Sequence, residues 1–287
     1  MIKKILLTGG SGFIGRYLTA ALLKLGCELA WLARKPSENI NVQYIDITGA
    51  FEEGVLAFQP DVTIHLAAVF DGSDISNLIE CNITLPVRIL ETLSKLEKKK
   101  RCFIYAGSYW QNGDFYNPHI PIDIYSSSKK SINSFVDYYS KYKSIKCIQL
   151  ILFGTYGEKD NRGKLLDVLI EKARTGGEIK LSAGLQTLNL IHVSDACDAF
   201  VTAMDIVLAR QEINKSYSVM SAKNFTIIEL VDLIDEISGG KLNATLGALP
   251  YREIEVFKPV YNEAIIPMWV EKITVVKYIK ENLGVNE

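Results

Sequence analysis

Paired cysteines are missing from this chain. Its five, Cys27, Cys81, Cys102, Cys147 and Cys197, are odd in number, widely spaced and never in a C-x-x-C pair. That argues against a disulfide framework or a zinc site and fits a reducing cytoplasm. Histidine is scarcer still: His65, His119 and His192 form no cluster with ligand spacing, so no metal is expected. Long apolar runs are lacking too, none approaching the roughly 18 residues that cross a bilayer. The apolar start after Lys3 and Lys4 is cut short by Thr8-Gly9-Gly10 and reads as a strand, not a signal peptide. Neither charge is in excess, since 32 Lys+Arg against 33 Asp+Glu leave a net charge of −1. No overall pull toward nucleic acid or an anionic membrane follows, so any anion site has to be local. Repeats and low-complexity tracts are absent. The run Lys98-Lys99-Lys100-Arg101 reads as a solvated helix C-terminus whose cations complement the helix dipole.

What is present is a chain of 287 residues, 48% hydrophobic and 23% charged, with ample length for a core. Strand-like runs at 5–7, 28–33, 42–46, 62–67, 102–106 and 147–153 alternate with helical patterns at 12–25, 75–98 and 125–143. This rhythm predicts an α/β fold, a doubly wound parallel Rossmann sheet. It is expected over residues 1–155, with a return segment at about 190–215. Residues 156–189 and 216–287, with helices at 195–209 and 226–238, are expected to form a smaller C-terminal α/β lobe. That lobe would lie beside the carboxyl edge of the sheet, where such sheets bind ligands.

Thr8-Gly9-Gly10-Ser11-Gly12-Phe13-Ile14-Gly15 follows a strand and opens a helix. Missing side chains permit a tight turn and close backbone approach to a pyrophosphate, while the helix start offers free N–H groups. Asp46-Ile47 ends the third strand; the carboxylate either accepts from an adenine amino group or caps the next helix. His65-Leu66-Ala67-Ala68 ends another strand, its small residues letting backbone lie against a cofactor, with His65 itself read as buried and hydrogen-bonded. Tyr125 and Lys129 stand four apart and so share one face of a helix. A phenol of pKa about 10 is a poor proton-transfer group near neutrality, and an adjacent ammonium is expected to lower it. Ser108, at a strand end facing the ligand crevice, is a candidate partner for a carbonyl oxygen; the alternative is local backbone bonding.

Together these residues resemble the extended short-chain dehydrogenase/reductase family of NAD(P)-dependent sugar-nucleotide enzymes. The likeness adds Asn82, TYG at 155–157 and IHVSDACDAF at 191–200 to the motifs above. It implies a Rossmann sheet plus substrate lobe, with Ser108, Tyr125 and Lys129 catalytic and Lys129 also on the nicotinamide ribose. It assigns the cofactor to Gly9, Gly12, Phe13, Ile14, Gly15, Arg34, Asp46, Ile47, Leu66, Ala67, Ala68, Tyr125 and Lys129, and gives Asp195 a helix-capping role. It also implies a homodimer built on the helices at 75–98 and 125–143.

Departures from the family pattern carry information. In LILFGTYGEKD, Ile151 replaces an Arg, and Gly154 an Asn that usually helps hold the sugar nucleotide. Tyr109-Trp110 follows Ser108 where dehydratases carry Asp-Glu, so elimination of water is not expected. Strand two ends in Ala33-Arg34-Lys35, where an acidic residue would bind the hydroxyls of the adenosine ribose in NAD. A cation there accepts a 2′-phosphate, so NADP(H) is the expected cofactor and NAD(H) the alternative, unless Arg34 and Lys35 are merely loop charges. LPYREIE (249–255) and AGSYWQ (106–111) resemble a subgroup that includes CDP-abequose and CDP-paratose synthases. These reduce the 4-keto group of a nucleotide-linked deoxyhexose. The resemblance then points to Ser108, Tyr109, Arg162, Lys164 and Arg252 for the substrate, with Arg252 either a diphosphate clamp or a surface cation, and Gln186 a weaker candidate for sugar hydroxyls that is read first as structural. Two rivals stay open: a 4-epimerase with tightly held NAD, and a non-catalytic dinucleotide sensor on the same fold.

Overall fold

The computed structural model describes residues 2–210, 213–261 and 263–285. In chain order the first half runs β1 Lys4–Thr8, α1 Phe13–Lys24, β2 Glu28–Ala33, β3 Val42–Asp46, α2 Phe51–Phe58, β4 Val62–His65, α3 Ile75–Ile79, α4 Leu85–Leu93, β5 Cys102–Ser108, the hairpin β6 Gly113–Asp114 and β7 Asn117–Pro118, α5 Ile124–Lys143 and β8 Lys146–Leu152. The second half runs β9 Gly154–Tyr156, α6 Leu165–Thr175, β10 Ile179–Lys180, β11 Thr187–His192, α7 Val193–Ala209, β12 Asn214–Val219, β13 Asn224–Thr226, α8 Ile227–Ser238, β14 Ala244–Thr245 and α9 Val275–Leu283.

Seven strands form one parallel sheet in the order β12-β8-β5-β4-β1-β2-β3. The order reverses beside β1, so β1 and β4 part at their carboxyl ends and open the crevice in which such sheets hold dinucleotides. Strand β8 is buried at every residue, as a strand covered on both faces must be. One face packs on α1 and α7 through Leu18, Leu22, Phe200 and Met204; the other packs on α2, α4 and α5 through Val55, Phe58, Ile89 and Val136. A third core, with Leu169, Leu230, Ile234 and Ile279, joins α6, α8 and α9. Because β12 pairs with β8 as far as Val219, the sheet takes in residues beyond 215.

Two local expectations need correction. The helix expected over 75–98 is interrupted by a π turn at Glu80–Thr84 and ends at Leu93. Pro86 explains the π turn, since it has no N–H to return to the carbonyl four residues back and the ladder shifts register to accommodate it. The lysine run is therefore not a helix end: Lys98–Lys100 form a separate 3₁₀ turn. Arg101 closes it by donating from Nε to Leu96 O at 2.8 Å and from Nη1 to Lys143 O at 2.7 Å.

Candidate active site

The floor of the crevice is made of backbone. Thr8 Oγ1 accepts from Ala67 N at 3.1 Å and lies 2.8 Å from His65 Nδ1, which fastens the end of β1 to the end of β4. His65 is buried, as expected, and burial pushes its imidazole down to about 3, so it stays neutral. Gly9 has φ +72°, and a Cβ there would lie 2.6 Å from Ala67 N. A Cβ on Gly15 would lie 2.1 Å from Gly9 O. At Gly12 the only close atom is Gly9 O at 3.2 Å, so this side of the loop is open. Gly12 is the N-cap of α1, no side chain caps the helix, and the N–H groups of Phe13, Ile14 and Gly15 have no acceptor among the described residues. Free donors at a helix start, beside a glycine where a Cβ would intrude, fit the pyrophosphate of a dinucleotide.

The next two strand ends carry the residues expected to face the adenosine. Arg34, just past β2, is exposed and makes no hydrogen bond or ion pair among the described residues. Its charge reaches across to Cys81 on the π turn. Asp46 does not cap α2. Its Oδ1 accepts from Thr48 N at 2.9 Å and Thr48 Oγ1 at 2.8 Å, and these bonds, with a weaker one from Tyr44, hold the carboxylate below its usual range. Ile47 N donates to Ala33 O at 3.0 Å, so the ends of β2 and β3 stay together.

The catalytic candidates meet at the end of β5 and the start of α5. Asp123 is the N-cap of α5 and accepts from Ser126 N at 2.7 Å. Tyr125 and Lys129 follow one turn apart. Lys129 Nζ donates to Ala106 O at 3.2 Å, two residues before Ser108, and lies 6.0 Å from the Tyr125 ring centre. The Tyr125 hydroxyl has no partner among the described residues. Ser108 Oγ accepts weakly from Trp110 N at 3.4 Å, so local bonding is part of its role, and its proton is left without an acceptor.

The expected electrostatics are overturned here. Burial, with the Asp123 carboxylate adding to it, pushes the Tyr125 phenol up to about 12; the cation that pulls it the other way is Arg162. Burial likewise pushes Lys129 down to about 8. Loss of hydration outweighs the attraction of an ammonium engaged with a carbonyl.

Beside Tyr125 stand the rings of Phe70, itself largely exposed, and Trp110. Phe70 lies 5.0 Å from Tyr125 and 5.8 Å from Trp110, and Lys164 Nζ lies 5.8 Å from the Phe70 ring centre. A cleft of about 200 Å³ opens beside them, walled by Phe70, Tyr109, Trp110, Asp123, Arg252 and Glu255. Arg252 thus reaches the cleft, but with a counter-ion: Nη2 donates to Glu255 Oε1 at 2.7 Å and Nε to Oε2 at 3.2 Å. Glu255 also accepts from Gln186 Nε2 at 3.1 Å, and Gln186 is buried, in line with a structural role. Arg162 does not line the cleft; it sits over Phe13, with its Cζ 4.4 Å from the ring centre.

Gly154, where the family pattern has Asn, sits in a tight place. A Cβ there would meet Leu190 Cδ2 at 2.9 Å and Asn189 O at 3.0 Å. Next to it Tyr109 stacks on Phe153 at 5.0 Å, and Phe153 on Tyr261 at 5.5 Å. Asp195 does not cap α7. His192 is the N-cap, its Nδ1 accepting from Ser194 N, whereas the Asp195 carboxylate accepts from Lys272 N at 3.1 Å and Ile273 N at 2.9 Å. Asn82 is a clamp: its Nδ2 donates to Val69 O and to Ser128 Oγ, and its Oδ1 accepts from Val69 N, tying the end of β4 to α5. Phe70, Asp123 and Glu255 were not foreseen. Phe70 directly follows the HLAAV strand end, and Glu255 stands three residues after Arg252, so both carried a positional signal.

A model of the family described as NAD dependent epimerase/dehydratase matches residues 5–217. A CDP-abequose synthase from Yersinia pseudotuberculosis is 32% identical over 266 residues, covering 90% of this chain and 92% of that protein. One from Salmonella muenchen is 24% identical over 300 residues, covering 99% and 98%. Among solved structures, a mutant UDP-glucuronic acid 4-epimerase from Bacillus cereus, in complex with UDP-4-deoxy-4-fluoro-glucuronic acid and NAD, aligns with a TM-score of 0.83 at 20% identity over 98% of each chain. A UDP-glucose 4-epimerase from Thermotoga maritima with UDP-glucose aligns with a TM-score of 0.81, also at 20% identity, over 98% of this chain and 97% of that one.

Proposed function

The chain belongs to the NAD dependent epimerase/dehydratase family, and within it we propose an NADPH-dependent reductase of the 4-keto group of a CDP- or dTDP-linked deoxyhexose. It is a nicotinamide-dinucleotide enzyme acting on a sugar nucleotide; the direction of reaction, the 2′-phosphate and the sugar are the proposal. Reduced nicotinamide, when bound, supplies hydride to the carbonyl carbon. Tyr125 transfers its phenolic proton to the carbonyl oxygen, so that hydride and proton together make the alcohol. Ser108 donates its free O–H to that oxygen and steadies the charge developing on it. Lys129, fixed on Ala106 O, keeps a positive charge beside the phenolate left behind. Phe70 and Trp110 present apolar ring faces beside the reacting carbon.

One observation carries the choice of reduction: the chain is 32% identical to a CDP-abequose synthase over 90% of its own length and 92% of that protein's. A second CDP-abequose synthase, matched over 99% of this chain, supports the same reading. Arg34 supports NADPH, because a guanidinium without a protein partner stands ready for a 2′-phosphate. Tyr109-Trp110 after Ser108 offers no carboxylate for elimination. The exposed Phe135, Tyr138 and Tyr142 on α5 support a homodimer. Among the described residues no helix is long and apolar enough to cross a membrane; free cysteines fit the cytoplasm.

The test offers the protein NADPH or NADH with CDP- and dTDP-4-keto-deoxyhexoses and follows loss of the reduced-nicotinamide absorbance. Turnover with NADPH well above NADH is expected, and Arg34→Ala should erase that advantage without lowering the rate with NADH. Protein purified with one tightly held NAD per chain, inert to NADPH but interconverting sugar epimers, would sink the reading in favour of the epimerase.

A further inference from the structure

Arg162 is the residue that the structure moves furthest from its expected role. It belongs to the loop 157–164, which crosses from the C-terminal segment onto the start of α1. Three side chains of α1 hold this loop. Tyr17 Oη donates to Glu158 O at 2.7 Å, Arg16 Nη2 donates to Lys159 O at 3.5 Å, and the Phe13 ring lies under the Arg162 guanidinium at 4.4 Å. The backbone at Lys159 has φ +60°, a conformation that side chains rarely adopt, and it stands where the loop meets Arg16. Strain kept at such a place is a reason to look for a function.

Arg162 is itself firmly oriented. Its Nε donates to Asp160 Oδ1 at 2.7 Å, and its Nη2 to Asp160 Oδ2 at 2.6 Å and to Thr155 O at 3.0 Å. The Asp160 side chain is fully buried. Nη1 has no partner among the described residues, so two N–H donors remain on a guanidinium whose other edge is locked. Phe13 is the first residue of α1, and its own N–H is one of the three free donors of the phosphate loop. The charge also reaches Tyr125 on the nicotinamide side of the crevice.

We infer that Arg162 is a cofactor residue: the loop 157–164 is a strap over the phosphate loop, and Nη1 of Arg162 grips the dinucleotide pyrophosphate from the side opposite the backbone N–H groups. This rests on the family's dinucleotide site and not on the reductase reading. Arg162 and Arg34 then divide the cofactor between them. Arg162 serves the part common to NAD and NADP, whereas Arg34 serves the phosphate that distinguishes them.

The test is equilibrium binding, by calorimetry on the intact protein, of NAD+, NADP+, ADP-ribose, CDP and dTDP to wild type, Arg162→Gln, Arg162→Lys and Arg34→Ala. Arg162→Gln should raise the Kd for NAD+, NADP+ and ADP-ribose by one common factor, about tenfold or more, as expected for a lost charge-assisted contact. Arg162→Lys, keeping the charge without the fork, should lose less. Affinity for CDP and dTDP should not change. The weakening of dinucleotide binding by added salt should be shallower in Arg162→Gln, because one attracting charge is gone. Arg34→Ala should weaken NADP+ alone. The inference is overturned if Arg162→Gln loses CDP or dTDP instead, or all ligands equally. It is also overturned if dinucleotide affinity falls but its salt dependence stays as in wild type, the mark of a purely structural role.

Discussion

The two halves of the crevice are built by different means. Under the proposed cofactor site the contacts are backbone: glycines that admit no Cβ, three free N–H groups and strand ends that all lie within residues 8–67. Around the sugar cleft they are side chains from segments more than a hundred residues apart, and the charges arrive already paired, as Arg252 does with Glu255. The first half offers backbone to the ligand, with a few side chains such as Arg34 and Arg162 added at its rim. The second has to exchange partners as it binds, and small changes of side chain alter what it accepts. Recognition of the common ligand thus starts from the fold's backbone, and selectivity is left to side chains that can change without disturbing it.

The largest expected effect falls where the halves meet. Tyr125→Phe removes the proton donor but none of its packing on Phe70. Turnover should fall by about 10²- to 10⁴-fold, with dinucleotide and CDP or dTDP affinities unchanged by calorimetry. A variant that still turns over at the wild-type rate would show that the junction lies elsewhere. Gly9→Ala breaks the floor alone. A methyl group at φ +72° and 2.6 Å from Ala67 N cannot be housed without moving β1 from β4. A cost of about 1–3 kcal/mol in denaturant unfolding is expected, with dinucleotide Kd raised at least tenfold, roughly the worth of one such distortion, and CDP or dTDP binding spared. Equal losses on both sides would erase the distinction between the halves.

What could be read in advance follows the same division. Strand β2 was expected at its observed bounds and the phosphate loop residue by residue, because local turn chemistry and short-range alternation determine both. Arg34 and the Gly154 departure were visible for the same reason. The balance at Tyr125 was not legible. Spacing put Lys129 beside it, but the sign of the shift depends on burial and on the use of the ammonium by Ala106 O, both tertiary facts. The π turn escaped because a continuous apolar period hides a change of hydrogen-bond register. Arg162 and Arg252 were both read as substrate cations, since nothing in one dimension separates an arginine over Phe13 from one across the cleft.

On the cleft side, Glu255→Gln sharpens the comparison. Glu255 neutralises Arg252 through two hydrogen bonds and also accepts from Gln186. Removing its charge leaves the arginine free for a diphosphate. CDP or dTDP should bind about two- to fivefold more tightly, a gain in the range of a partly exposed ion pair released to a new partner, and NADP+ should bind as before. Weaker diphosphate binding would show that Glu255 orients Arg252 and does not merely mask it.

The smallest expected effect lies outside both halves. Asp167, in the first turn of α6, accepts from Tyr278 Oη at 3.2 Å through Oδ1, while its buried Oδ2 has no partner among the described residues. Burial first, and then the charge of Asp160, push its carboxyl up from 3.8 to about 6. The sign follows. Between pH 3.8 and 6 the folded chain holds a proton that the unfolded chain has released, so stability from this group is complete below pH 3.8 and lost as pH rises through 6. At pH 7 the charged form is a burden. Asp167→Asn keeps an oxygen for Tyr278 and places an uncharged N–H₂ at the orphaned position. Its melting temperature should exceed that of the wild type by about one or two degrees at pH 7, the shift of a fraction of a kcal/mol in a chain this long. The difference should shrink steadily toward pH 4, while dinucleotide and CDP or dTDP affinities stay put at every pH. A gain independent of pH would mean that the orphaned oxygen, and not its charge, is what strains the fold. A change in either affinity would mean that α6 is coupled to the crevice after all.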